Sequence, residues 1–399
     1  MSYKPTVRAC YLGTICQAVN VNLTALLFTA LGVQFGLSYT QLGGLVLVNF
    51  ITQVAVAVIF GNVVDRVGFR IFIVGAHIAA AVGMGWFAAT PWLPFDPYVM
   101  LLFGTFIIGA SGGFMEILLS PILNAIPTDE KSSAMSIMHG FFCFGHAGMA
   151  AGTALFLTVF GRESWPFVVM FWTILPLGNA ILFATCPIAP AVPITSQSSA
   201  KDGFRKPLLL VLLAMIAFAG ASELTFSQWT SAFMEEGMGL PKLVGDIAGV
   251  GTFALAMGVG RVGYGVLKQK GIKWMPEQHQ LMFMGCIAAA ASYVIVALTH
   301  NPVIGLLACA LCGLGVSLLW PGTISLSVKA FPLAGTWMFA AMAAGGNIGG
   351  SVGPVAFGMI ADHAYHEGLR TAFMMTAVIP LGAALVMLLY MKLRRTNRL

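Results

Sequence analysis

The sequence predicts an all-α membrane protein whose chain crosses the bilayer twelve times. Three observations lead there. Of 399 residues, 58% are hydrophobic and only 9% charged, whereas soluble domains carry about 25% charged residues. A large soluble core would still need a wettable surface, so lipid must face most of this chain. Twelve apolar stretches, at 8–33, 41–60, 71–91, 98–126, 133–160, 166–188, 207–234, 243–264, 279–299, 303–328, 336–361 and 369–391, are each near the length of about 20 residues that a span needs. The links between them are short and hold nearly all the charge.

Span one carries Gln17, Asn20 and Thr24 on one face, with Asn22 off it. It is longer than the apolar region of a signal peptide, is interrupted by these amides and lacks a small-residue cleavage site, so it is expected to remain in the membrane. Span two places Asn49 and Gln53 one turn apart. The loop GNVVDRVGFR follows at 61–70. There Gly61 would allow close helix approach and Gly68 a tight turn. Asp65 could sit at the N-terminal end of a neighbouring helix and meet its dipole, and Arg66 and Arg70 would hold the loop in the cytoplasm. In span four, Gly109, Gly112, Glu116, Ser120 and Asn124 recur at spacings of three and four and form one polar stripe. Span five carries His139 and His146 two turns apart.

The longest hydrophilic stretch, 189–206, reads as a cytoplasmic linker between an N-terminal bundle, 1–188, and a C-terminal bundle, 207–399. Span seven has Gly220, Glu223, Ser227 and Thr230 in a second stripe, with Gln228 and Trp229 beside it. Span ten sets Trp320 next to Pro321, and span eleven carries Asn347 among Gly345, Gly346, Gly349 and Gly350. All Lys and Arg except Arg162, Lys242 and Arg370 fall on the side of the N-terminus. The positive-inside bias therefore puts both termini in the cytoplasm, and the net charge of +6 reflects that bias. No basic stripe with interleaved aromatics points to nucleic acid. The seven cysteines lie in or beside apolar spans. Cys309 and Cys312 have no His or acidic partner in their helix and read as packing groups. No metal and no cofactor is expected.

Glu116 and Glu223 stand alone in apolar stretches. A charge at bilayer depth costs roughly 2.5–3.5 kcal/mol on insertion scales, so such residues are paired, protonated or in a wet cavity, and by default functional. The two halves also echo each other at an offset of about 203 residues: Gly36-Leu37 with Gly239-Leu240, the loop after span two with Gly265-x-x-x-Gln269-Lys270-Gly271-x-Lys273, and Gly109, Pro121 and Pro127 with Gly313, Pro321 and Pro332. Repeated halves with polar groups at mid-depth are the pattern of secondary transporters.

The loop GNVVDRVGFR resembles the loop between spans two and three of the major facilitator superfamily, where it latches the outward-facing state. Gly61, Asp65, Arg66, Gly68 and Arg70 carry that resemblance, and Gln269 replaces the acid in the second copy. Within the superfamily, GGFMEILLSPILNAIP, MSIMHGFFCFGHAGMAAG and SLLWPGTISLSVKAFP are similar to the fucose–galactose–glucose:proton symporter group. The matching positions are Glu116, Pro121, Phe141-x-x-Phe144-Gly145 and the aromatic-Pro stretch from Trp320. That group has a further acid where this chain has Ala25, a Gln where it has His139, and an Asn where it has Phe142. The resemblance implies two six-helix bundles around a cavity lined by spans one, four, seven and ten.

Three of those spans carry amide, hydroxyl or acid stripes and the fourth a Trp, a mixture suited to a neutral, sugar-like solute. An anionic solute would want a buried cation, and the one candidate, Arg261, falls near a cytoplasmic helix end, with Lys329 likewise at the edge. The expected function is alternating-access transport across the inner membrane by a monomer, with protons carried by Glu116 and, as a second candidate, Glu223. The expected substrate-site residues are Gln17, Asn20, Thr24, Asn49, Gln53, Ser120, His139, Phe142, His146, Ser227, Gln228, Trp229, Trp320 and Asn347. A proton-driven exporter of drugs or metabolites, favoured by 29 Phe and 22 Met, and a uniporter are the alternatives. No nucleophile–base pair or metal cluster supports an enzyme.

Overall fold

The computed structural model describes residues 2–127, 131–189, 207–270, 275–331, 336–365 and 367–396. The linker at 190–206 lies outside them, as do the side chains of Asp65, Arg66, Asn124 and Gln269. Among the described residues every regular element is helical. The N-terminal set is α1 (Lys4–Leu26), α2 (Phe28–Phe35), α3 (Tyr39–Val67), α4 (Phe69–Ala89), α5 (Pro97–Asn124), α6 (Lys131–Phe160), α7 (Trp165–Trp172) and α8 (Ile174–Thr185). The C-terminal set is α9 (Pro207–Ala232), α10 (Thr252–Gln269), α11 (Gln278–Leu298), α12 (Pro302–Val316), α13 (Leu319–Ala330), α14 (Thr336–His363), α15 (Gly368–Thr376) and α16 (Val378–Thr396).

Among the described residues ten helical stretches are long and apolar enough to cross a membrane, so this is a multi-pass membrane protein. The pair α1 and α2, bent by 44° at Leu27, is an eleventh if the two count as one span. The remaining long helix, α14, has 28 residues, about 42 Å at 1.5 Å per residue, but glycines and Asn347 dilute its apolar middle.

Several expected single spans are interrupted; the 44° bend at Leu27 has no proline near it, but at three other interruptions proline gives the reason. A proline has no N–H to donate to the carbonyl four residues back. Pro176 follows the break between α7 and α8, Pro321 the break between α12 and α13, and Pro380 the break between α15 and α16. Span seven ends in a π-helical turn, Phe233–Gly237, and span eight begins with another, Gly245–Gly251. Such turns are frequent at functional sites.

The repeat read from Gly-Leu pairs has a backbone counterpart. Gly36 and Gly239 both adopt left-handed φ, 65° and 67°, which glycine takes without strain.

The two sets meet most closely along α3 with α14, while α9 packs on α14 through glycine. A Cβ at Gly349 would lie 1.8 Å from the Ala217 carbonyl oxygen, and one at Gly220 2.2 Å from that of Gly346. The span-eleven glycines therefore serve close packing, which leaves Asn347 as the polar group of that stretch.

Candidate functional site

Midway along its helices the N-terminal set holds a chain of amides. Gln17 Nε2 donates to Gln53 Oε1 at 3.2 Å, Gln53 Nε2 to Asn49 Oδ1 at 2.7 Å, Asn49 Nδ2 to the Asn20 carbonyl at 2.9 Å, and Asn20 Nδ2 to Ser111 Oγ at 3.1 Å. These bonds tie α1, α3 and α5 together. Asn20, Asn49 and Gln53 are buried, at 2%, 3% and 1% exposure, so they act first as interhelical bonds and only Gln17 reaches open space.

Gln228 does a similar job between the sets. It is buried in α9 and donates to Asn22 Oδ1 at 3.0 Å and the Val21 carbonyl at 3.2 Å. Trp229, expected beside the solute, sits instead in an aromatic core with Phe28, Tyr39 and Phe357, its indole N–H on the Pro354 carbonyl at 3.0 Å. Thr24, Ser227 and His146 are likewise buried.

Both carboxylates have partners. Asn347 Nδ2 donates to Glu116 Oε2 at 2.8 Å, linking α14 of one set to α5 of the other. Glu223 is not a lone acid: Arg261 NH2 pairs with its Oε2 at 3.0 Å. This corrects the placement of Arg261 at a helix edge. Its Cα lies about two turns inside the end of α10, and the long side chain carries the guanidinium inward. Pro321 explains what holds it. The missing proline N–H leaves the Ser317 carbonyl free, and Arg261 Nε donates to that carbonyl at 3.1 Å. Arg261 NH1 reaches Cys143 Sγ of α6 at 3.7 Å. Lys329 does lie at the edge, in a groove of 460 Å³ with Lys268, Glu277 and Arg394 that shares no residue with this constellation.

Exposure divides the expected site. Gln17, Glu116, Ser120, Phe142, Glu223, Arg261 and Trp320 are half-buried and His139 is exposed, although Glu116, His139, Glu223 and Arg261 lie deep within the helical shell. Side chains that touch open space inside such a shell line an interior cavity. Trp320 packs against Gly346, where a Cβ would come 2.2 Å from its ring.

The end of the bundle opposite the N-terminus is closed across the two sets. Asp362 of α14 accepts the amides of Tyr39 and Thr40 at 2.9 and 2.7 Å. Glu235, in the π turn, pairs with Arg162 and accepts from Thr29 Oγ1 at 2.6 Å, and Tyr39 donates its hydroxyl to Glu236. Lys242 binds buried Asp246 at 3.1 Å, and Arg370 spans the carbonyls of Ala297, Thr299 and Gly237. None of these acids was singled out in the sequence; the signal available for Glu235, Glu236, Asp246 and Asp362 was their closeness along the chain to Lys242 and Arg370.

At the other end, Gly68 has φ 101° and makes the tight turn expected of it. Arg70 donates to the carbonyls of Phe183, Ala184 and Cys186 at 2.8, 2.6 and 2.8 Å, so it caps α8 where unpaired carbonyls attract a cation. Gly61 meets nothing within 4 Å; the close approach expected there is not made in this conformation.

The sequence profile of the Major Facilitator Superfamily matches residues 10–342. The chain belongs to the Major Facilitator Superfamily. As a member it is a transporter of small molecules rather than an enzyme. A search of curated proteins gave no match for this facilitator. Solved structures share its fold at low identity. A D-xylose–proton symporter superposes with a TM-score of 0.80 at 15% identity, covering 97% of each chain. A bacterial homologue of the human lysosomal transporter Spinster, inward-facing and occupied, gives 0.77 at 15% identity over 98% of this chain and 97% of that one.

Proposed function

We propose that this facilitator is a secondary active transporter that moves a small, hydroxyl-rich solute across the inner membrane by alternating access of two six-helix halves, with a proton carried by Glu116. Both termini and the 189–206 linker face the cytoplasm in this reading, and the functional unit is a monomer. The observation that carries it is the Glu116–Asn347 bond at 2.8 Å. It joins the two helix sets beside an interior cavity whose far end is closed.

An ionised carboxylate accepts from the amide, whereas a protonated one removes a buried charge that is costly in the bilayer. Occlusion around solute therefore favours the protonated acid, and proton and solute each favour the state that the other favours. Amides and Trp320 suit hydroxyls and the apolar face of a ring. The likeness in fold to a sugar–proton symporter supports the reading by analogy.

Glu116→Gln tests it in proteoliposomes. Solute counterflow should persist while accumulation driven by an imposed pH gradient is lost. Accumulation by Glu116→Gln under the same gradient would overturn the assignment.

A further inference from the structure

The preference for a neutral solute rested on the lack of a cation at the cavity, and Arg261 removes that premise. We propose that Arg261 is the seat for a carboxylate on the transported solute, so that the substrate is a polyhydroxylated acid of the aldonate or uronate class. This rests on the transporter reading above and names its substrate.

The bonding of Arg261 differs from that of Arg70, and its pairing with one carboxylate oxygen is shared by Arg162 and Arg394 only at the exposed ends of the bundle. Arg70 spends its guanidinium on three backbone carbonyls at a helix end, and Arg370 gives both terminal nitrogens to three carbonyls, with Glu367 3.6 Å from its Nε and Met238 Sδ beside it, a structural use in each case. Arg261 makes one bond to a carbonyl, Ser317, one to a single carboxylate oxygen, Glu223 Oε2, and one through NH1 to a thiol, Cys143 Sγ at 3.7 Å. A guanidinium has five N–H donors and a planar fork that fits a carboxylate through two parallel bonds. Here only one tooth of the fork meets a carboxylate, and the other faces a weak sulfur acceptor. Two N–H groups thus have no acceptor among the described residues.

The side chains of Arg261 and Glu223 keep 15% and 12% exposure, so the pair is not sealed off. The guanidinium is also fixed in advance, because Pro321 frees the carbonyl that orients Nε. A bidentate carboxylate arriving on the NH1 side would compete with Glu223, the counter-ion of the unloaded state, and would bridge α10 to α6 across the two sets. The rest of such a solute has matching neighbours. Trp320 lies one turn beyond Ser317, and Gly346, on which it packs, adjoins Asn347 and through it Glu116.

The test is equilibrium binding to the purified full-length protein at one fixed pH. The probes are D-gluconate, D-galactonate, D-glucuronate and D-galacturonate, each set beside D-glucose or D-galactose. Ligands of the folded state raise its apparent stability. At least one acid should stabilise the protein where its neutral parent does not. Glu223→Gln, which removes the competing carboxylate, should tighten that acid by threefold or more. Adding Arg261→Gln to Glu223→Gln, which leaves a neutral amide pair and no buried charge, should abolish binding while the protein stays monodisperse.

Equal binding of neutral parents, retention of acid binding in the double variant, or no stabilisation by any acid at about 10 mM, the edge of a useful carrier affinity, would each overturn the proposal. Neutral sugars that bind without Arg261 leave the transport reading standing. That reading fails only on the flux of Glu116→Gln.

Discussion

The carboxylate of Asp362 accepts the backbone amide of Thr40 at 2.7 Å and, with its other oxygen, that of Tyr39 at 2.9 Å. Ser38 already caps α3 through a reciprocal bond with Gln41, so Asp362 accepts from the amides that this cap leaves. A helix N-terminus of one set is thereby finished by an acid from the other. N-cap bonds are worth about 0.5–2 kcal/mol. Asp362→Asn should loosen the closed end by roughly that amount, a several-fold shift in the population of the state open there. Spin labels or fluorophores placed on α2 and α15 would read it as a longer distance.

Glu235 is the busiest acid of the same gate, at 11% side-chain exposure, with Arg162, Lys242 and Thr29 around it. Arg162 is 46% exposed, and exposed pairs contribute about 0–1 kcal/mol. Arg162→Ala should therefore change gate opening little, and less still in high salt. Glu235→Gln should open the gate more, because it leaves Lys242 and Arg162 facing one carboxylate fewer. Accessibility of a cysteine placed at Thr29 to a membrane-impermeant thiol reagent separates the two. A larger effect from Arg162→Ala would contradict this ranking.

Arg70 caps three carbonyls at the end of α8. Arg70→Ala should cost about 1–2 kcal/mol, visible as a lower unfolding temperature in detergent. Arg70→Lys should recover part of it, since a point charge still meets the helix end but cannot reach three carbonyls together.

Two glycines give opposite outcomes. Gly349→Ala drives a methyl into the backbone of Ala217; overpacking of this kind costs about 1–3 kcal/mol or more, and a backbone neighbour cannot swing away. Gly61→Ala enters open space and gains helix propensity of up to about 1 kcal/mol, so its unfolding temperature should hold or rise. If the loop latches another state, as the superfamily resemblance implies, transport by Gly61→Ala should nevertheless fall. Unchanged transport would remove Gly61 from the latch.

Much of this protein was legible in one dimension, because lipid imposes a simple rule. A helical crossing must be long and apolar, so most span positions, the Gly-Leu repeat and the polar stripes could be read from spacing, and the loop at 61–70 from its resemblance to that of the superfamily. Glu116 was legible for the same reason: a lone acid in an apolar helix has to mean something. What spacing cannot give is the partner. Asn347 lies 231 residues from Glu116, and Asp362 lies 322 from Thr40.

Arg261 shows the limit most clearly. Helical position put it near an edge, but a side chain several ångströms long, steered by a carbonyl that Pro321 leaves free, delivers its charge to Glu223. Burial likewise sorted the amides. Asn49, Gln53 and Gln228 are buried and each bonds to a neighbouring helix, whereas Gln17 and Trp320 keep a side open. The order of residues along the chain determined which helices form and which faces are polar. Only packing decided which polar groups meet one another and which are left for a solute, because that depends on contacts between helices far apart in sequence.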